Sequence, residues 1–273
     1  MVNDIKLNAA MRNNLLSLQG TQRLMDRTQE RLSTGLKVNS AIDNPSSYFT
    51  AAGLNQRAGD LEALLDSMGQ GIQTLKTTDE AIKSVTSLVE QAKAVANQFA
   101  ETSDATLQGK YDTQYGILLK QIDELVGDAN YKGVNLLKAT GTTLTVKFNE
   151  LTGAAVTKLE VDSVDITTGA TGLNLSANLT TATIEADIDK LTDAITSLRA
   201  YASDFGNAYS IVQNRENFTE AMVNVLTEGA DKLTLADMNE ESANMLSLQT
   251  RQQLGVNSLS LASQAAQSVL KLF

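Results

Sequence analysis

The chain has 273 residues, of which 42% are apolar but only 4% aromatic, and it contains neither Cys nor His. This removes thiol nucleophiles, disulfides, imidazole bases and His- or Cys-ligated metals, leaving only carboxylate, Lys, Tyr or hydroxyl chemistry. A net charge of −10 argues against a nucleic-acid partner, since neutralising phosphate needs clustered Lys and Arg. No run approaches the ~20 apolar residues of a membrane span, so no membrane insertion is expected. Met1–Gly20 also lacks the compact apolar block of a cleavable signal.

The charge is uneven. Residues 1–44 carry six basic and four acidic groups and residues 231–273 carry three and four, so the middle of the chain is strongly acidic. Near-neutral ends can pack against copies of themselves, and an acidic middle reads as the solvent-facing part.

The first helix is expected over about Ile5–Ser33. Its heptad-like seam is Met11, Leu15, Leu18, Met25 and Leu32, with Gln22 and Gln29 filling the skipped places. Arg12, Arg23, Arg27 and Arg31 lie off that seam and read as a solvated face. Gly35 breaks the helix, Asp43 or Asn44 can cap the next one, and Pro45, the one proline in the chain, suits its first position.

A long helix follows over 46 to about 100, roughly 80 Å at ~1.5 Å per residue. Its seam includes Leu54, Ala58, Leu61, Leu65, Met68, Ile72, Leu75, Ile82, Val89 and Ala96, with an irregularity expected near Gly69–Gly71. Ser103-Asp104 signals the start of a third helix that Gly127 can end. From Thr142 the apolar period changes to two: Leu144, Val146 and Phe148, then Leu159 and Val161, then Val164 and Ile166. This predicts a β-rich patch over 141–180, too small for a core of its own.

A fourth helix is expected from about Thr183 to Thr227, with Gly229 separating it from a last helix over 231–273. That last helix carries apolar residues on two flanks, including Leu254 and Leu261 on one and Val256, Leu259, Val269 and Phe273 on the other. Such a helix needs neighbours on two flanks. The fold expected is mainly α: a long antiparallel helical hairpin or coiled-coil bundle, with a small β-hairpin patch at the turn-around. No phosphate loop, calcium loop or other catalytic, cofactor-binding or metal-binding pattern is present in the sequence.

Four separated segments resemble bacterial flagellin. The first runs Arg-Leu-Ser-Thr-Gly-Leu-Lys-Val-Asn-Ser-Ala-Ile-Asp-Asn from Arg31, with Arg31, Leu32, Ser33, Gly35, Asn39, Ala41, Asp43 and Asn44 as its signature. The others are Thr77-Thr-Asp-Glu-Ala-Ile, Tyr131-Lys-Gly-Val-Asn-Leu-Leu, and the run from Asn244 to the C-terminus. The resemblance implies a structural, non-enzymatic and cofactor-free subunit of the bacterial flagellar filament, in a short form almost without the variable surface insertion.

It further implies an inner coiled-coil domain from 1–44 and 231–273, a helical outer-tube domain from 45–140 and 181–230, and the patch at 141–180 on the surface. Implied partners are its own copies or other flagellins, the flagellar type III export apparatus, an export chaperone, a filament cap and hook–filament junction proteins. The implied location is the extracellular filament. With the uncovered apolar flanks, the resemblance places a polymerisation interface on Met11, Leu15, Leu18, Met25, Leu32, Leu254, Val256, Leu259, Leu261, Val269, Leu270 and Phe273. A hook–filament junction protein and a secreted coiled-coil adhesin are the alternatives.

Overall fold

The computed structural model describes residues 9–139 and 142–270. Five helices and one hairpin follow in order: α1 (Ala9–Thr34), α2 (Pro45–Glu101), α3 (Ala105–Asp128), β1 (Thr143–Lys147), β2 (Lys158–Asp162), α4 (Ile184–Thr234) and α5 (Met238–Leu270). A single 3-10 turn, Gly153–Ala155, lies between the strands. The chain divides into two compact units, Met1–Gln56 with Leu226–Phe273, and Arg57–Val225.

The 57–225 unit has a continuous core. Met68, Ile72, Leu75, Ile82, Val89 and Ala96 of α2 are buried at helical spacing and meet Tyr115, Ile122 and Val126 of α3 and Leu191, Ile195, Leu198, Phe205 and Val212 of α4 in one cluster. The helix passes through Gly69–Gly71 without interruption. Gly71 has a packing reason: a Cβ there would lie 2.7 Å from Val146 Cγ2. Asp104 caps α3 by accepting from Thr106 N–H at 2.8 Å. At its other end Asn135 Nδ2 donates to the Val126 carbonyl at 2.7 Å, so α3 runs one residue beyond Gly127.

β1 and β2 pair antiparallel, with Val146 opposite Leu159 and Leu144 opposite Val161. Val146 is buried in the shared core and the other three are half-buried, so the hairpin is part of this unit. The expected strand at Val164–Ile166 does not form. Val164 N–H donates to Leu136 O, Ile166 N–H donates to Leu137 O, and the Asp165 carboxylate between them organises a turn by accepting from Thr167 N–H and Oγ1 and from Thr171 Oγ1. The alternation reports burial of Ile166 without a ladder. Gly172 closes this turn; a Cβ there would stand 2.2 Å from Thr167 O.

Polar groups in the unit are largely satisfied. Buried Asp187 accepts from Thr183 Oγ1 at 2.8 Å and from Ser176 Oγ, with Lys190 Nζ 3.6 Å away. The Tyr115 hydroxyl has no hydrogen-bond partner. Burial, then the charges of Asp187 and Asp112, push its pKa far up, so it stays protonated.

In the other unit α1 packs antiparallel on α5: Leu18 lies against Gly255, Gln252 Nε2 donates to Gln22 Oε1 at 2.8 Å, and Arg31 reaches Glu241. The covered stripe of α5 is Glu241, Met245, Leu248, Gln252, Gly255, Leu259 and Ala262, at alternating steps of four and three. Its counterpart on α1 is Met11, Asn14, Leu18, Thr21, Met25, Thr28 and Leu32. The expected seam is therefore right at every other position. Leu15, Gln22 and Gln29 are exposed, and Asn14, Thr21 and Thr28 take the inward places. Asn14, Thr21 and Thr28 are smaller than the Leu15, Gln22 and Gln29 beside them, and smaller residues at these places let the two backbones approach.

Gly229 does not end the fourth helix. α4 continues to Thr234, and Gly229 serves packing, since a Cβ there would lie 3.5 Å from Leu54 Cδ1. The break falls at 235–237, where tertiary hydrogen bonds replace helical ones. Lys37 N–H donates to Thr234 O, Ala236 N–H donates to Gly35 O, and Leu36 forms an antiparallel bridge with Leu235. Asp237 then caps α5, accepting from Asn239 N–H at 2.9 Å.

Candidate assembly surface

The signature segment is a turn built to stop one helix and start another. Gly35 has φ +73°, the left-handed conformation that ends α1, and its N–H donates to Arg31 O at 2.8 Å. Its carbonyl and the Leu36–Val38 backbone bind the end of α4 through Thr234 and Ala236. Lys37 Nζ adds a bond to Lys232 O at 2.9 Å. The Asp43 carboxylate accepts from Asn39 N–H, Ser40 N–H and Ser40 Oγ at 3.0–3.2 Å. These bonds, Ser40 N–H foremost, hold the Asp43 pKa below its ordinary value against a smaller opposing effect of burial.

Asn44 Oδ1 accepts from Ser47 N–H at 3.1 Å and caps α2, with Pro45 as its first residue. Of the remaining signature residues, Leu32 and Ala41 are half-buried and Ser33 is exposed. The turn holds Ile42 outward, 94% exposed.

Arg31 does not belong to a solvated face. Its Nη1 donates to Glu241 Oε1 at 2.7 Å, and Glu241 is buried. A carboxylate taken out of water needs such a partner. This pair ties the end of α1 to the start of α5 across 210 residues of sequence. Neither spacing nor composition pointed to it; the four arginines of the first helix look alike until α5 is placed beside them.

The predicted interface residues fall into two groups. Met11, Leu18, Met25, Leu32 and Leu259 are half-buried on the α1–α5 seam. Leu15, Leu254, Val256 and Leu261 point outward, with Leu254 63% and Leu261 67% exposed. Phe273 and the side chains of Val269 and Leu270 lie outside the described residues. Leu16, Leu24, Ile42, Phe49 and Leu246 join the exposed set, and a seam search passes over them because they sit off the expected stripe. Lone apolar residues on a surface are ordinary; here they recur along both helices of the pair and in its adjoining turn. Among the described residues no helix is long and apolar enough to cross a membrane, and no group of three or more Asp or Glu is placed to hold a metal ion.

Residues 5–142 match the family described as bacterial flagellin N-terminal helical region, and residues 188–273 match the bacterial flagellin C-terminal helical region. A flagellin of Brucella melitensis is 32% identical, with 95% of each chain covered. Flagellin FljM of Caulobacter vibrioides is 30% identical over 100% of this chain and 99% of its own length. A crystal structure of Bacillus cereus flagellin aligns with a TM-score of 0.48 and 25% identity, covering 55% of this chain and 86% of that one.

Proposed function

From a chain that belongs to the bacterial flagellin family, and is thus a structural subunit of a self-assembling flagellar filament, we propose a division of labour between its parts. Residues 1–44 and 231–273 form the inner filament-core domain, 45–140 and 181–230 the outer-tube domain, and 141–180 a small surface patch. The interface between copies in the core is made by Leu15, Leu254, Val256 and Leu261 with the other outward apolar residues of α1 and α5, extended by Val269, Leu270 and Phe273. Met11, Leu18, Met25, Leu32 and Leu259 hold the two helices together behind it.

One observation carries this reading. The α1–α5 pair covers one stripe of each helix and leaves further apolar side chains of both in water. Burying them against a neighbour gains ~25 cal/mol per Å² of apolar area, and that gain must exceed the entropy of ordering the helices. Identical units added head to tail without ring closure give an open helical filament.

The subunit acts without a cofactor and without an enzymatic step. It leaves the cell through the flagellar type III apparatus, accompanied by an export chaperone, and adds to the extracellular filament beneath a cap and beyond the hook–filament junction proteins. Seeded elongation tests the core of the proposal. Purified protein mixed with filament fragments should extend them under the electron microscope, whereas a discrete oligomer of fixed size would favour an adhesin and no elongation a junction protein.

A further inference from the structure

Cysteine is absent, so the seven methionine thioethers are the only sulfur in the chain that an oxidant can reach. They are spread unevenly. Met1, Met11, Met25, Met238 and Met245 lie in the smaller unit built from the two ends, and the larger unit holds Met68 and Met222. Met68 is fully enclosed. Met25 and Met245 are half-buried, on the facing stripes of α1 and α5. Three contacts fix the antiparallel register of that pair: Leu18 on Gly255, Gln22 on Gln252 and Arg31 on Glu241. This register sets Met25 beside Leu248 and Met245 beside Thr28, so the two methionines sit about one helical turn apart across the seam. Thr28, Leu248 and Glu241 are buried, which makes this the best-covered part of the seam. Water is excluded here, yet both methionines stay within reach of a small solute.

We propose that Met25 and Met245 form a peroxide-sensitive switch on assembly: as thioethers they let α1 close on α5, and as sulfoxides they keep a free subunit out of the filament. The proposal rests on the filament reading and adds a condition on which subunits can join. The oxidant is a hydroperoxide. A sulfur lone pair attacks one peroxide oxygen, and the S–O bond forms as the O–O bond breaks. The proton on the transferred oxygen passes to the departing one, which leaves as water, so sulfur loses two electrons and the peroxide gains them. A thioether suits a closing seam because it is apolar and pliable. A sulfoxide oxygen is a strong acceptor that must shed water when the two helices meet. With one methionine on each helix, both sides of the same contact change together. Methionine sulfoxide reductases return the sulfide, so the switch is reversible. Closure of the seam in the filament shields the same two sulfurs.

Hydrogen peroxide tests this on the intact protein. Wild-type monomer is treated until peptide mass mapping shows Met25 and Met245 oxidised and Met68 intact. Its critical concentration for seeded elongation should then rise about tenfold, the loss expected when polar groups are buried without partners. Methionine sulfoxide reductases A and B with dithiothreitol should restore it. Met25→Leu with Met245→Leu keeps the apolar volume and should elongate normally before and after the same treatment. Met11→Leu with Met238→Leu should stay sensitive. In preformed filaments Met25 and Met245 should oxidise more slowly than in the monomer. Unchanged elongation by wild-type protein oxidised at both positions, or equal inhibition of the Met25→Leu, Met245→Leu protein, would overturn the switch and leave the filament reading standing. Should that double variant fail to elongate untreated, the Met11→Leu, Met238→Leu protein decides, and loss of its sensitivity overturns the switch. Failure of untreated wild-type protein to elongate seeds would remove the filament reading and the switch together.

Discussion

The two compact units solve opposite problems with the same helical vocabulary. The unit from Arg57 to Val225 carries all of the net charge, thirteen basic against twenty-three acidic residues, and gathers most of its apolar groups into one core, although Ile117, Phe218 and Val225 stay exposed. The unit made from both ends holds nine basic and nine acidic residues and is neutral. Its buried apolar residues are few among those described, chiefly Val38, Ala51, Leu226, Ala230 and Leu248, while Leu254, Leu261, Ile42 and Phe49 face water. On the proposed reading the acidic unit with its own core stands by itself, and the neutral, half-covered one is completed by neighbours. The difference separates what the monomer can do for itself from what, on the proposed reading, the assembly does for it.

The sharpest way to break that contrast is to remove the outward apolar face. Leu254→Asn with Leu261→Asn should abolish seeded elongation, since each leucine contributes about 2 kcal/mol when buried, while circular dichroism of the monomer stays unchanged. Next in size, Gly172→Ala should destabilise the 57–225 unit by about 3 kcal/mol in urea unfolding, because its Cβ meets the Thr167 carbonyl backbone rather than a movable side chain.

Smaller again, Arg31→Ala leaves Glu241 buried without its cation. It should cost about 2 kcal/mol, moderated because Arg31 is itself partly in water. Amide exchange at the α1–α5 pair in the filament, where these helices are expected to be protected, reads this loss, and Arg31→Met with Glu241→Leu should recover much of it. The smallest effect is at Asp43, whose folded pKa is depressed. Its contribution is complete above the ordinary aspartate value and is lost as pH falls through the lower folded value. Amides of Asn39 and Ser40 should therefore hold their protection down to about pH 4 and lose it in stronger acid.

Much of the architecture was legible because long seams obey a simple period. The α2 residues from Ala58 to Ala96 and the α4 residues from Ile184 to Val212 face their core as expected, and Asp104, Asn44 and Gly35 cap or stop helices as their chemistry dictates. What failed to show was decided by contacts distant in sequence. The α1 stripe takes Asn14, Thr21 and Thr28 in place of the greasier Leu15 because the closeness of α5, not hydrophobicity, sets the inward phase. The α4–α5 break sits at Leu235 rather than Gly229 because Leu36 and Gly35 supply the bonds that stop the helix. Arg31 finds Glu241 only after both ends of the chain come together.

Hydrogen exchange on the intact protein, monomer against seeded filament, tests the contrast between the two units most directly. Amides of α1 and α5 should exchange rapidly in a dilute monomer and become strongly protected in the filament, while the buried stretches of α2, α3 and α4 between Met68 and Val212 are protected in both. Terminal helices as protected in a strictly monomeric sample as in the filament would contradict the account.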